Sequence, residues 1–223
     1  MVELISGLRP ERVRANLERI CAQLDEASAR ASRAPGLVEV VAATKYVAAE
    51  ELPALAEAGV RVVGENRAQD LEAKVSEHGE LFEWDFIGQL QSRRVRAIVP
   101  HVRLIHSVAS ESALRELERN RERCRPGLRI LIEVNLAGEE GKAGVRAQDL
   151  AETISHAAVP VAGLMTMPPL TRNPEDSRVW FARLRELAHE HSLEHLSMGT
   201  SQDYLVAAEE GATIVRIGTI LYS

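Results

Sequence analysis

Eight short runs rich in β-branched residues alternate with amphipathic stretches along this 223-residue chain. The runs cover 38–45, 61–66, 84–88, 103–108, 129–135, 159–167, 195–201 and 214–222. The amphipathic stretches between them begin near Ala48, Ala68, Ser92, Ser110, Ala147, Glu175 and Gln202. A helical crossover between consecutive strands forces parallel pairing, because a tight hairpin joins only antiparallel neighbours. Eight parallel strands with outer helices predict an α/β fold, a single (β/α)8 TIM barrel. An open doubly wound sheet is the alternative, but no G-x-G-x-x-G follows the first run. Ser110 has the character of a helix cap, and Gly59, Gly79, Gly127 and Gly211 fall where helices should stop.

An extra helix is expected ahead of the barrel, over residues 9–33. Val13, Leu17, Ile20, Leu24 and Ala27 recur at helical spacing on one face, Pro10 suits the start, and Ala34-Pro35-Gly36 ends it. No stretch is predicted to form a helix after the eighth run, so the N-terminal helix is expected to cover the outer face left bare there. With no linker-like segment, residues 1–223 read as one domain. Apolar residues make up 45% and aromatics only 4%, which predicts an aliphatic core. The net charge of -6 argues against a nucleic-acid partner. The local basic patch Arg93, Arg94 and Arg96 reads as a solvated helix face in preference to a polyanion contact. Cys21 and Cys124 lack metal-ligand spacing and fit a reducing compartment. His189, His191 and His195 cluster without sharing a helix face, so no metal site is expected. Neither a signal-peptide apolar region nor a run of membrane-spanning length occurs, and a cytoplasmic location is expected, with monomer as the default.

In a barrel of this kind the polar residues at strand C-termini share one rim, where active sites lie. Lys45 ends the apolar run Val40-Val41-Ala42-Ala43. A lysine there is expected to be partly desolvated and nucleophilic toward an aldehyde, or else to snorkel to solvent. Ser197-Met198-Gly199-Thr200-Ser201, ahead of a helix, offers hydroxyls and amides to an anion, and Gly218-Thr219 adds donors from the next strand. An ordinary capped turn is the alternative for either piece. Arg216 lies in the otherwise apolar run Ile214-Val215-Arg216-Ile217 and must face the rim or a partner. Asn66 and Asn135 end strands, as hydrogen-bonding groups or as turn residues. Together these residues suggest a carbonyl-bearing phosphate ligand held as an imine.

The motifs Ala43-Thr44-Lys45, Gly64-Glu65-Asn66, Phe86-Ile87-Gly88-Gln89-Leu90-Gln91-Ser92, Glu133-Val134-Asn135, Gly141-Lys142-Ala143-Gly144, Gly163-Leu164-Met165-Thr166-Met167, Leu196-Ser197-Met198-Gly199 and Val215-Arg216-Ile217-Gly218-Thr219 occur in that order. In this the chain closely resembles the pyridoxal phosphate homeostasis proteins, also called the YggS or PROSC family. The resemblance implies one barrel of the alanine-racemase type (PLP fold type III) that holds pyridoxal 5′-phosphate (PLP). By the same resemblance Lys45 matches the Schiff-base lysine. Ser197, Gly199 and Ser201 match the phosphate side after strand seven, and Gly218 and Thr219 that after strand eight. Arg216 matches the arginine near the pyridine nitrogen, Asn66 and Met165 match pocket positions, and Lys142 matches a loop lysine. The chain departs from the family pattern at Val47, where a second lysine is usual, at Arg93-Arg94 after Gln91-Ser92, at Thr200, and at the tail Tyr222-Ser223.

The resemblance further implies a non-catalytic role in intracellular vitamin B6 homeostasis, storing PLP or delivering it to apo PLP-dependent enzymes. A guanidinium at the pyridine nitrogen makes the ring a weak electron sink. Related racemases take a second base from a β-rich domain of a partner subunit, and the sequence after Thr219 is expected to leave no room for one. Tyr46 and Tyr204 lie near rim loops without being placed opposite Lys45. The alternatives are a small PLP enzyme with weak racemase activity and a lysine-imine aldolase that needs no cofactor.

Overall fold

Strands form where the β-branched runs predict them, each shorter than its run. They are β1 Glu39–Ala43, β2 Val62–Glu65, β3 Glu83–Phe86, β4 Leu104–Val108, β5 Arg129–Glu133, β6 Val161–Met165, β7 His195–Thr200 and β8 Ile214–Ile217. The computed structural model describes residues 4–139 and 141–223, so Glu140 of the Gly138–Gly144 loop lies outside the described residues. The strands pair in chain order into a closed barrel, and every pairing is parallel. β8 closes onto β1 from Glu39↔Ile214 to Ala42↔Ile217. Closure leaves no sheet edge exposed.

The outer ring comprises α2 Leu52–Glu57, α3 Ala68–His78, α4 Val95–Ile98, α5 Glu111–Arg119, α6 Leu150–Ser155, α7 Arg178–Glu190 and α8 Tyr204–Glu209. Their apolar faces, including Leu71, Ile98, Leu117, Phe181 and Leu184, are buried. An inner apolar cluster comes from six strands: Val41, Val62, Leu104, Leu131, Met165 and Ile214. It fills the barrel, as the inward residues of this fold do.

The N-terminal helix α1 spans Pro10–Arg30 and buries Val13, Ile20, Leu24 and Ala27, while Leu17 is half-buried. It packs on α8. The Tyr204 hydroxyl donates to Gln23 Oε1 at 2.6 Å. The expectation of no helix after the last strand is corrected: α9, Thr219–Tyr222, adds one turn. Gly218 bends the chain out of β8, which lets Leu221 bury completely. Asn16 Nδ2 on α1 then donates to Leu221 O at 3.1 Å and Ser223 O at 2.8 Å. The two helices therefore cover this side together.

β7 carries an irregularity that matters for the mouth. Ser197 pairs with Ile214 and Thr200 with Arg216, so three residues of β7 advance against two of β8. Gly199 sits inside that bulge at φ +92°, a left-handed conformation that favours glycine. A Cβ there would also lie 2.6 Å from Ala207 Cβ on α8.

Candidate cofactor site at the barrel mouth

Parallel register brings the sequence-predicted residues to one rim. Ala43 pairs with Gly64, so Lys45 and Asn66, each two residues further on, leave their strands at the same level. Lys45 itself is exposed, with Nζ 4.8 Å from the Tyr46 ring centroid. This corrects the expectation of a partly desolvated amine. A turn closed by Val47 N donating to Thr44 O at 2.9 Å carries Lys45 beyond the apolar strand. It lines a cleft of about 560 Å³ with Tyr46, Arg67 and Lys74.

Beneath that turn lies a buried ion pair that sequence reasoning missed. Lys74 Nζ on α3 donates to Glu65 Oε1 at 2.5 Å and to Thr44 O at 2.7 Å. Thr44 Oγ1 donates to the same carboxylate oxygen at 2.7 Å, and Asn66 N donates to Oε2 at 3.3 Å. The ends of β1 and β2 are thereby fastened to each other and to α3. A signal existed in the sequence: Lys74 falls three residues after Leu71, on the helix face that buries.

Asn66 is half-buried, and its fully buried side-chain Oδ1 has no hydrogen-bond partner among the described residues. An orphaned buried acceptor marks a place where a donor belongs. Gly88 allows this packing, since a Cβ there would lie 2.0 Å from Asn66 O. Arg94 shares a small cleft of about 160 Å³ with Asn66, while Arg93 and Arg96 are exposed. On the other side, the Tyr222 hydroxyl donates to Ala43 O at 3.1 Å. Burial, with the charge of Glu65, pushes that hydroxyl's pKa well up.

The anion side differs in part from expectation. Thr200 N and Oγ1 both donate to Asp203 Oδ1, at 2.8 and 3.1 Å. The chain's own carboxylate thus occupies the start of α8, where an external anion was expected. Ser197 is fully buried and engages other side chains. What faces outward is Ser201, whose Oγ accepts from Gly218 N at 3.1 Å and keeps its hydrogen available, and the exposed Thr219 opening α9.

Arg216 is almost fully buried below this rim. Nη1 donates to Ser197 O at 2.9 Å and to Ser197 Oγ, and Nη2 donates to Thr166 O at 3.2 Å and contacts Met167 Sδ at 2.9 Å. Desolvation lowers its pKa to about 10, against the favourable charges of Glu133 and Asp203, so it stays protonated at neutral pH. Ser197 Oγ lies 2.8 Å from His106 Nδ1, and His106 Nε2 lies 3.1 Å from Asp85 Oδ2. Asp85 is held by Arg103 Nε at 2.9 Å and Nη2 at 3.1 Å, and Arg103 also pairs with Glu39. None of Asp85, His106, Arg103 or Glu39 was picked out from the sequence. For Asp85 and His106 the signal that was present is a charged or imidazole side chain within a barrel strand; Arg103 and Glu39 stand at strand starts, partly exposed, and carry no such signal.

Burial pushes the His106 pKa down, outweighing the hydrogen bond and charge of Asp85. A histidine that folds neutral and unfolds with an ordinary pKa near 6.5 binds more protons unfolded, so its presence costs stability as pH falls below that value. The unfolding free energy of wild type is therefore expected to lose ground against a His106→Phe variant between pH 7 and 5, measured by urea titration. A gap that stays constant over this range would contradict a neutral His106.

The remaining candidates lie around these. Met165 is buried in the inner apolar cluster below the mouth. Glu133, ending β5, is buried, and desolvation raises its pKa against the charges of Arg216 and Lys142. Lys142 is half-buried and pairs with Glu139. Asn135 Nδ2 latches the same loop by donating to Glu139 O at 3.0 Å. Tyr204 is buried, with its hydroxyl engaged by Gln23 on α1.

Two features test whether a pyridoxal phosphate fits. Asn66 Oδ1 is a buried acceptor without a donor. Among the described residues the Arg216 Nε–H makes no hydrogen bond, although the guanidinium's other donors are engaged. A ligand with an aldehyde for Lys45, polar ring substituents and a phosphate for Ser201 and Thr219 suits this donor set.

Fold and rim together define a barrel of the alanine-racemase class, and the family profile described as alanine racemase, N-terminal domain, matches residues 13–223. A pyridoxal phosphate homeostasis protein of Aquifex aeolicus is 41% identical over 217 residues, covering 92% of this chain and 95% of the relative. The chain belongs to this family of pyridoxal phosphate homeostasis proteins. A solved structure of PipY from Synechococcus elongatus, with PLP bound, aligns at a TM-score of 0.74 and 32% identity, covering 92% of this chain and all of that one. An unknown protein from Bifidobacterium adolescentis aligns at a TM-score of 0.87 and 29% identity, covering 99% and 98% of the two chains.

Proposed function

We propose that this chain binds PLP at the barrel mouth, with Lys45 as the capturing amine, and serves PLP homeostasis by holding the cofactor for storage or delivery. The observation that carries this reading is the shared rim. Lys45 and the orphaned Asn66 acceptor follow β1 and β2 at one level, and Ser201 and Thr219 follow β7 and β8, the second of which closes onto β1. The PLP-bound relative supports it.

When bound, the cofactor supplies an aldehyde that an amine can capture. The chain's own residues do the rest. Lys45 offers an exposed amine at the rim. Ser201 and Thr219 offer hydroxyl donors to the phosphate. Arg216 stays cationic and donates from below, which favours an unprotonated ring nitrogen and weakens the ring as an electron sink. That favours holding over turnover, and we place the protein among carriers, acting in the cytoplasm.

The test is the visible spectrum of the purified protein loaded with PLP, taken with amino-acid turnover assays. A borohydride-sensitive visible band without turnover is expected. A protein that takes up no PLP would overturn the binding, and robust racemisation would overturn the carrier role.

A further inference from the structure

Asp85, His106, Ser197 and Arg216, buried on β3, β4, β7 and β8, form one directed relay. Asp85 is clamped by Arg103 and, as a carboxylate, can only accept, so His106 Nε2 must donate to it across 3.1 Å. A neutral His106 then leaves Nδ1 bare. Ser197 Oγ spends its single hydrogen on Nδ1, at 2.8 Å, and meets Arg216 as an acceptor only. Nη1 and Nη2 are fixed by Ser197, Thr166 and Met167, and Nε–H is left for a ligand. The other end of the relay is anchored at Glu39, the first residue of β1. If the imidazole carried its proton on Nδ1 instead, its bare Nε2 would face the Asp85 carboxylate with no hydrogen between them, and the Ser197 hydrogen would lose Nδ1 as its acceptor.

We propose that His106 and Asp85 are positioning residues, which act through Ser197 to fix the plane of Arg216 and so present its Nε–H to the ring nitrogen of the cofactor. The inference rests on the reading that the mouth holds PLP. Outer partners that orient metal ligands typically contribute about 10–100-fold to affinity, and an effect at the low end of that range is expected for an oriented arginine. The relay explains why a barrel interior that apolar residues could fill carries an aspartate, a histidine and a serine, each fully or almost fully buried.

The test uses ring-nitrogen NMR in two stages. In the ligand-free wild type, the His106 signals, assigned with His106→Phe, are expected to show a neutral Nε2–H tautomer. An Nδ1–H tautomer or an imidazolium would overturn the relay, and this stage needs neither PLP nor a stable variant. In the second stage, PLP labelled at its ring nitrogen is bound to wild type, His106→Phe and Ser197→Ala. The variants are expected to keep the visible band of Lys45, to bind PLP about tenfold more weakly, and to move the ring-nitrogen signal away from its wild-type position. Ser197→Ala is the smaller change and serves if His106→Phe does not fold. Variants that fold, bind as wild type and leave the signal in place would overturn the inference. Failure of the wild type to take up PLP would overturn the cofactor reading instead, while the tautomer still decides the relay.

Discussion

Lys45→Ala is expected to abolish the visible, borohydride-sensitive band and to weaken PLP binding by about a hundredfold or more, equal to roughly 2.7 kcal/mol. On the proposed reading, covalent capture depends on one amine, whereas contacts offered by Ser201, Thr219, Arg216 and Asn66 are separate and are expected to survive. Residual, colourless binding of PLP should therefore remain. Lys45→Arg is the sharper control, because it keeps the charge and the stem while a guanidinium cannot serve as the nucleophile. Spectral titration with PLP, followed by reduction and peptide mapping, reads the outcome. A band that persists in both variants would place the amine elsewhere. Lys142 is then the residue to examine, since Lys74 is buried against Glu65.

Lys74→Met should be the most damaging of the single substitutions away from the mouth's donors. The Lys74–Glu65 pair is buried, at 2.5 Å, with side-chain exposures of 8% and 0%, so removing one partner strands a charge. Breaking such a pair costs about 3–5 kcal/mol. For a chain of this size that lowers the melting temperature by roughly 10 °C. Thr44 also loses a partner, and the Thr44–Lys45 turn is no longer tied to α3. The double variant Lys74→Met with Glu65→Leu should recover most of the loss, because apolar groups of similar volume often replace a buried pair at little cost. Thermal unfolding of the three proteins decides it. A single variant as stable as wild type would mean that the pair is compensated or solvated.

Much of the fold was legible because it rests on local periodicity. Helical spacing marked Val13, Leu17, Ile20, Leu24 and Ala27 as one buried face; four are buried and Leu17 is half-buried. The β/α alternation implied parallel strands in chain order, and the barrel has that order. The strand-end positions of Lys45 and Asn66 followed from the same alternation. The final helix was missed because a single turn has too few residues to show a period, and its stability comes from Leu221 and from Asn16 on a distant helix.

The sequence by itself determined the strand and helix pattern, the barrel class and the rim on which the chemistry-bearing residues stand. Only the tertiary structure decided what each of them faces. Ser197, expected on the phosphate side, turns inward to Arg216 and His106, and Asp203 takes the donors of Thr200. His106 and Ser197 are 91 positions apart and meet within hydrogen-bond distance because closure aims alternate side chains of distant strands at one axis. Local pattern sets which residues point inward or outward. It carries no record of which inward side chains share a level, since that follows from register and barrel closure, and those are long-range properties of the packed chain.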